Sequence, residues 1–225
     1  MTWLGHATVL FEIGDVRLLT DPLLRPRLAH LTRRAPLVRP EALRPIDAVL
    51  VSHTHRDHLD RGTLGRLDLR GPVVGPPGIT RFVDGEVREL AVGERIEIDG
   101  VGVRATPADH HVVRERRKIA ALGFLVDEDL YFAGDTDQFP GMAELRPLRL
   151  ALLPVWGWGP NLGAGHLDPP GAAQVLSLLR PDLAVPIHWG TYYPRGLRGR
   201  TQLADPPRAF AAHAAETTPG TAVRL

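Results

Sequence analysis

Asp47-Ala48-Val49-Leu50-Val51-Ser52-His53-Thr54-His55-Arg56-Asp57-His58 joins a compact apolar run to a dense set of metal-ligating side chains. The apolar half is short and rich in β-branched residues, and it reads as a buried strand. In an extended segment, residues two apart project to the same side, so His53 and His55 can converge on one ion. If the chain then turns, Asp57 and His58 face a second ion nearby. The competing explanation is a chance grouping of polar residues in a surface loop. A buried strand running straight into the group weighs against it.

Outward from this stretch, strands are predicted at Thr8–Ile13 and Val16–Thr20, joined by a Gly14-Asp15 turn. Further strands are predicted over 72–74, 95–98, 101–106, 120–126, 130–133, 150–153 and 183–187. A helix is predicted over Pro169–Leu179, with Asp168 as N-cap and Pro169 at the first helical position, and a second over 207–215. Residues 25–45, rich in Arg and Pro, read as an irregular connection. No repeat or linker divides the chain, so one domain over 1–225 is expected, built as sheets covered by helices.

His and Asp recur just after predicted strands, where rigid scaffolds present chemistry. Thr106-Pro107-Ala108-Asp109-His110-His111 follows one strand, Gly134-Asp135-Thr136 another, and Pro186-Ile187-His188 a third. Each alone is more often a hydrogen-bonding loop residue than a ligand. Their joint occurrence in this order is the signal.

Composition narrows the chemistry. The 225 residues include no cysteine, which excludes disulfides, thiolate zinc sites and a cysteine nucleophile. Any metal must sit on imidazole and carboxylate. There is no G-x-S-x-G motif. The net charge of +1 gives no general pull toward nucleic acid or anionic membrane. No apolar stretch approaches the roughly 18 residues of a membrane span, and the start lacks a secretory pattern, so a cytoplasmic location is expected.

The cluster, together with Gly134-Asp135-Thr136 and Pro186-Ile187-His188, resembles the metallo-β-lactamase superfamily. Thr2-Trp3-Leu4-Gly5-His6-Ala7-Thr8, Thr20-Asp21-Pro22 and Thr106-Pro107-Ala108-Asp109-His110 are similar to the branch holding ascorbate-phosphate lactonase and N-acyl-phosphatidylethanolamine phospholipase D. The resemblance implies an α/β fold, a four-layer αββα sandwich of two mixed sheets flanked by helices. It implies a first metal on His53, His55 and His110, and a second on Asp57, His58 and His188, with Asp135 bridging both. His110 is taken over its neighbour His111 because it holds the family position after Pro-Ala-x. Zinc is the first expectation for the two divalent ions, with manganese and iron as alternatives.

Two cations close together lower the pKa of a bridging water, so a metal-bridging hydroxide is the expected nucleophile. Asp57 would serve as ligand and as the hydrogen-bond partner that orients it. His166 matches a family position near the metals, where it would touch substrate or protonate the leaving group. The alternative for His166 is a ring hydrogen-bonded beside a helix start. His6 is expected to be buried and structural, with Asp21 as neighbour. The run Arg114, Arg116, Arg117 and Lys118 is either a phosphate or carboxylate site or a solvated loop. Trp156 and Trp158 would line the pocket rim or pack in the core. His111 stands where the family often has an aromatic residue, which puts transfer of a relative's substrate in doubt.

The expected function is hydrolysis of a small phosphodiester, lactone or ester-like metabolite. The alternatives are a nucleic-acid-processing phosphodiesterase (a nuclease), an iron-based redox enzyme on the same scaffold, and a metal-binding module without chemistry. The partner is expected to be a small-molecule substrate rather than nucleic acid, and the sequence says nothing diagnostic about oligomeric state.

Overall fold

Alternation along the early strands sorts their side chains onto two faces. Val9, Phe11, Leu18, Ala48 and Leu50 point one way, and Leu10, Leu19, Val49 and Val51 the other, all of them buried. A sheet apolar on both faces must be covered on both. In the computed structural model, which describes residues 1–157, 162–194 and 201–225, two sheets and a set of helices do this.

The first sheet has six strands, in spatial order Thr2–Gly5, Thr8–Ile13, Val16–Thr20, Ala48–Leu50, Val73–Gly75, Val87–Glu89. Its first three strands are antiparallel and the remainder run parallel. The second sheet has seven, in order Ala222–Val223, Leu183–Ile187, Leu150–Pro154, Leu130–Phe132, Leu122–Val126, Val101–Pro107, Arg95–Ile98. It too is mixed, parallel on one side and antiparallel on the other. The inner faces meet in one core that unites Phe11, Leu50 and Val74 with Phe124, Phe132 and Ile187.

The outer face of the second sheet, with Tyr131, Ala151 and Leu153, packs on the helices Pro169–Leu179 and Thr201–Thr217. Asp168 caps the first of these helices by accepting from the Gly171 N–H. The outer face of the first sheet is covered more thinly. Among the described residues, its cover is the four-residue helix Arg61–Leu64, the 3₁₀ turn Ile79–Phe82 and the loops around them. The αββα sandwich therefore holds, but one helical layer is reduced to short turns.

Two segments differ from expectation. The 25–45 connection contains a small sheet, with Arg27–Leu28 and Leu31–Arg33 joined by Tyr192–Pro194. A hairpin, Val112–Arg114 with Arg117–Ile119, stands beside the loop that carries His110. Its turn residues Glu115 and Arg116 have φ of 51° and 64°, the left-handed region that Asn and Gly usually occupy in two-residue turns. Sequence patterning had no such marker to read.

The parallel strands Leu130–Phe132, Leu150–Pro154 and Leu183–Ile187 pair in register, so their carboxyl ends align. The loops after them, and the loop after Ala48–Leu50, converge on one edge of the sandwich.

Candidate metal centre

At that edge, seven side chains from four loops turn inward. His53, His58 and His188 are almost wholly buried, as is Asp135, while His55 is partly buried. His53 Nε2 lies 3.1 Å from His55 Nδ1, and His110 Nε2 lies 3.2 Å from the same His55 nitrogen. His58 Nε2 lies 3.2 Å from both His188 Nε2 and Asp57 Oδ2. These are two groups of ligand-type atoms, His53-His55-His110 and Asp57-His58-His188, the second joined by His6.

Asp135 stands between the groups. Its Oδ2 is 3.2 Å from His58 Nε2 and 3.9 Å from His53 Nε2, and its Oδ1 is 3.3 Å from His188 Nε2. Oδ1 is buried yet has no donor in hydrogen-bonding geometry among the described residues. An unsatisfied buried carboxylate oxygen is costly and calls for an explanation such as an ion. The imidazole spacings agree with that explanation. Ligands at about 2.0–2.1 Å from one tetrahedral ion stand about 3.3 Å apart.

The far side of four of the rings is tied down. His58 Nδ1 meets Asp21 Oδ2 at 2.7 Å, His110 Nδ1 donates to Gly165 O at 2.8 Å, and His188 Nδ1 donates to Trp156 O at 2.5 Å. Ser52 Oγ gives its proton to Asp21 and so accepts from His53 Nδ1. With Nδ1 engaged, Nε2 is the nitrogen that these four rings turn inward, where a neutral ring offers its lone pair to a metal, whereas His55 turns Nδ1 inward.

Electrostatics divides the two groups. Burial depresses His53, His55 and His110, the last to about 4, so all three stand neutral at pH 7. Burial also acts to depress His58 and His188, but Asp135 and Asp57 outweigh it and raise both. Burial tends to raise Asp57 and Asp135, yet the surrounding imidazoles hold both well below the usual carboxylate range.

His166 comes to the open side of the centre. Its Nδ1 donates to Gly163 O, its Nε2 is 3.6 Å from Asp135 Oδ2, and its ring sits edge-on to His110 at 4.6 Å. His111 points outward and, with Val113 and Lys118, lines a cavity of about 150 Å³ that shares His110 as a wall. Arg114 turns inward instead. Its guanidinium donates to Thr54 O and lies 4.7 Å over the Phe82 ring, so it braces the cluster loop. Arg116, Arg117 and Lys118 are exposed. Trp156 contributes its carbonyl to His188, and Trp158 lies outside the described residues.

One expected pairing is corrected. His6 is buried, but its ring meets Asp57 Oδ2 at 3.1 Å, while Asp21 is engaged by Ser52 and His58. The His6–Asp57 contact spans 51 residues, a tertiary arrangement that sequence proximity does not convey.

Gly134 shows how tightly the Asp135 loop is fitted. Its φ is +63°, and a Cβ there would stand 2.6 Å from Ser52 Cβ. Gly134→Ala is expected to cost about 2–4 kcal/mol of stability from backbone strain and overpacking. Urea unfolding checks it, and an unchanged midpoint would contradict the fit described.

Fold and site together define a two-sheet sandwich with an imidazole–carboxylate centre at its strand ends. Residues 16–189 match the model of the β-lactamase superfamily domain, and the chain belongs to the metallo-β-lactamase superfamily. A metal-dependent hydrolase of Methanopyrus kandleri is 32% identical over 211 residues, covering 86% of this chain and 85% of that protein. N-acyl-phosphatidylethanolamine-hydrolyzing phospholipase D 1 of Caenorhabditis elegans is 31% identical across 85% of this chain. The match spans 64% of that relative's length. Among solved structures, Igni18, a metallo hydrolase from the archaeon Ignicoccus hospitalis, superposes with a TM-score of 0.75 at 23% identity, covering 100% of this chain and 93% of its own. Among the described residues, no helix is long and apolar enough to cross a membrane.

Proposed function

We propose that the chain is a single-domain, metal-dependent hydrolase that holds two divalent ions and cleaves a small phosphodiester, lactone or ester-like substrate. The observation that carries this reading is Asp135. It is a buried carboxylate with one unsatisfied oxygen, set between three neutral imidazoles on one side and the Asp57-His58-His188 group on the other. His53, His55 and His110 would hold one ion, Asp57, His58 and His188 the other, and Asp135 would face both. Zinc suits this donor set first, with manganese and iron as alternatives.

When bound, the ions supply acidified water at neutral pH and positive charge for the oxyanion that develops. The protein's own groups do the rest. Asp57 accepts hydrogen bonds beside the reacting atoms and orients the attacking group. His166 presents Nε2 on the open side, where, once that nitrogen has taken up a proton from water, it can hand the proton to the leaving oxygen. The cavity between His110 and the 112–119 hairpin receives the part of the substrate that extends past the centre, and Lys118 at its edge suits an anionic group. The named activities of the two relatives support hydrolysis, and the phospholipase supports the phosphodiester arm.

Protein loaded with zinc, manganese or iron, assayed against bis-p-nitrophenyl phosphate and a lactone panel, tests the reading. Turnover of one class is expected, and activity on neither with full metal content overturns it.

Metal uptake should also move protons. Below their raised pKa values, His58 and His188 carry protons that an ion must displace, so affinity at the second group should rise with pH until those values are passed. The depressed histidines of the first group carry no such proton at pH 7. Calorimetry at pH 7 in buffers of different ionisation heat should show proton release for one ion and almost none for the other. Equal release for both would contradict the charge assignment.

A further inference from the structure

Two of the side chains that face the second ion position come from loops far apart in sequence, Asp57 after the fourth strand of the first sheet and His188 after the strand Leu183–Ile187. Both are gripped by one residue, His6. The His6 carbonyl accepts from the His188 N–H at 2.9 Å, and it accepts from Trp3 Nε1 at 2.8 Å as well. The His6 N–H donates to Thr191 Oγ1 at 2.5 Å, which latches the turn at residues 5–6 to the loop carrying His188. The His6 ring lies against the His188 ring, tilted by 39° with 3.9 Å between centroids, and its Nε2 meets Asp57 Oδ2 at 3.1 Å.

The local backbone is built for this contact. His6 has φ of 54°, and Gly5 has φ of 108°. A Cβ on Gly5 would meet Thr191 Cγ2 at 2.9 Å and the Arg33 guanidinium at 3.0 Å, so the turn comes against both neighbours closer than a side chain would allow. A non-glycine residue in the left-handed region is uncommon and is kept where the surroundings over-determine it.

We propose that His6 is a positioning residue for the second ion: its Nε2–H donates to Asp57 Oδ2 and fixes that carboxylate, while its main chain fixes His188. The proposal rests on the two-ion reading above. The chemistry separates this role from that of an additional ligand. An ionised carboxylate only accepts, so the 3.1 Å contact is a hydrogen bond only when His6 Nε2 carries the proton, and a protonated nitrogen has no lone pair for a metal. Asp57 Oδ2 has a second acceptor position left for the ion. Residues that orient metal ligands from behind typically contribute about 10–100-fold to metal affinity.

The test is metal titration of wild type, His6→Ala and His6→Gln, with Co²⁺ as the probe, read by calorimetry and by the visible absorption of the bound ion. Circular dichroism establishes that each variant is folded. Wild type is expected to take two ions. His6→Ala should bind the first as wild type does and the second about 10–100-fold more weakly. His6→Gln keeps a side-chain N–H near the same place, so it should recover most of that loss with the wild-type Co²⁺ spectrum. An altered spectrum in a fully loaded His6→Gln variant would make His6 a ligand and overturn the proposal. So would an His6→Ala variant that binds both ions as wild type does. If His6→Ala fails to fold, His6→Gln decides alone, since loss of the second ion there also overturns it. A wild-type chain that takes fewer than two ions overturns the two-ion reading itself, which distinguishes that failure from a failure of the His6 role alone.

Discussion

Asp135→Asn should lower kcat/KM by at least about 10³-fold, equivalent to about 4 kcal/mol of transition-state stabilisation. It should also reduce metal content, from the proposed two ions per chain to one or none. The substitution keeps the size of the side chain and removes its charge. In the structure that charge lies 3.2 Å from His58 Nε2 and 3.3 Å from His188 Nε2, and no other described carboxylate lies between the two groups of imidazoles. An amide would turn a donor toward a site built to receive cations. The metal-free variant should also be less stable than metal-free wild type near pH 7, because the amide removes the charge that holds His58 and His188 and is itself held ionised by them. What the variant should lose is the rise in melting temperature on adding metal, since ligands stabilise only by binding the native state. Thermal scans with and without zinc, elemental analysis and steady-state kinetics read the three effects. A variant with two ions and wild-type turnover would remove Asp135 from the centre.

Much of this arrangement is legible in sequence because it is local. The cluster at 53–58 is contiguous, and the apolar run before it becomes the buried strand Ala48–Leu50. The later ligand-type residues each follow a strand whose apolar alternation marks it, as Leu183–Ile187 marks His188. What sequence does not carry is which side chain reaches which across the fold. Asp21 lies 31 residues from Ser52 and 37 from His58, and only the parallel pairing of Val16–Thr20 with Ala48–Leu50 brings them together. His6, on the turn between the first two strands, finds Asp57 rather than Asp21, a contact between residues 51 apart in sequence. Arg114 belongs to a basic run that could equally have faced solvent, and the hairpin that turns it onto Thr54 has a turn without Gly or Asn. The reduced helical cover over the first sheet was also invisible, because the segments that replace it are too short to show helical periodicity.

Asp21→Ala should cost about 3–5 kcal/mol of folding stability, the range found when one partner of a buried charged network is removed. It should also weaken the second ion by about 10–100-fold. Asp21 is wholly buried and accepts three bonds: from Ser52 N–H at 2.7 Å, from Ser52 Oγ at 2.6 Å and from His58 Nδ1 at 2.7 Å. Alanine would leave all three donors without an acceptor in a dry interior, and each such orphan costs about 1–3 kcal/mol before any relaxation. Ser52 can recover in part, because its hydroxyl can rotate toward His53 Nδ1, but only by giving up the acceptor role that sets the tautomer of that ring. His58 has no comparable recourse. Its Nδ1–H would lose the carboxylate that keeps Nε2 pointed at the centre. Asp21→Asn separates the two effects, since the amide oxygen can still accept from Ser52 N–H while the amide nitrogen takes the place of Oδ2 and faces both Ser52 Oγ, which can turn to accept, and His58 Nδ1–H, which cannot. That variant should therefore fall between wild type and Asp21→Ala in urea denaturation, yet lie close to Asp21→Ala in second-ion affinity. A metal affinity that tracks stability across the three proteins, with Asp21→Asn intermediate in both, would show that Asp21 supports the fold alone and does not orient His58.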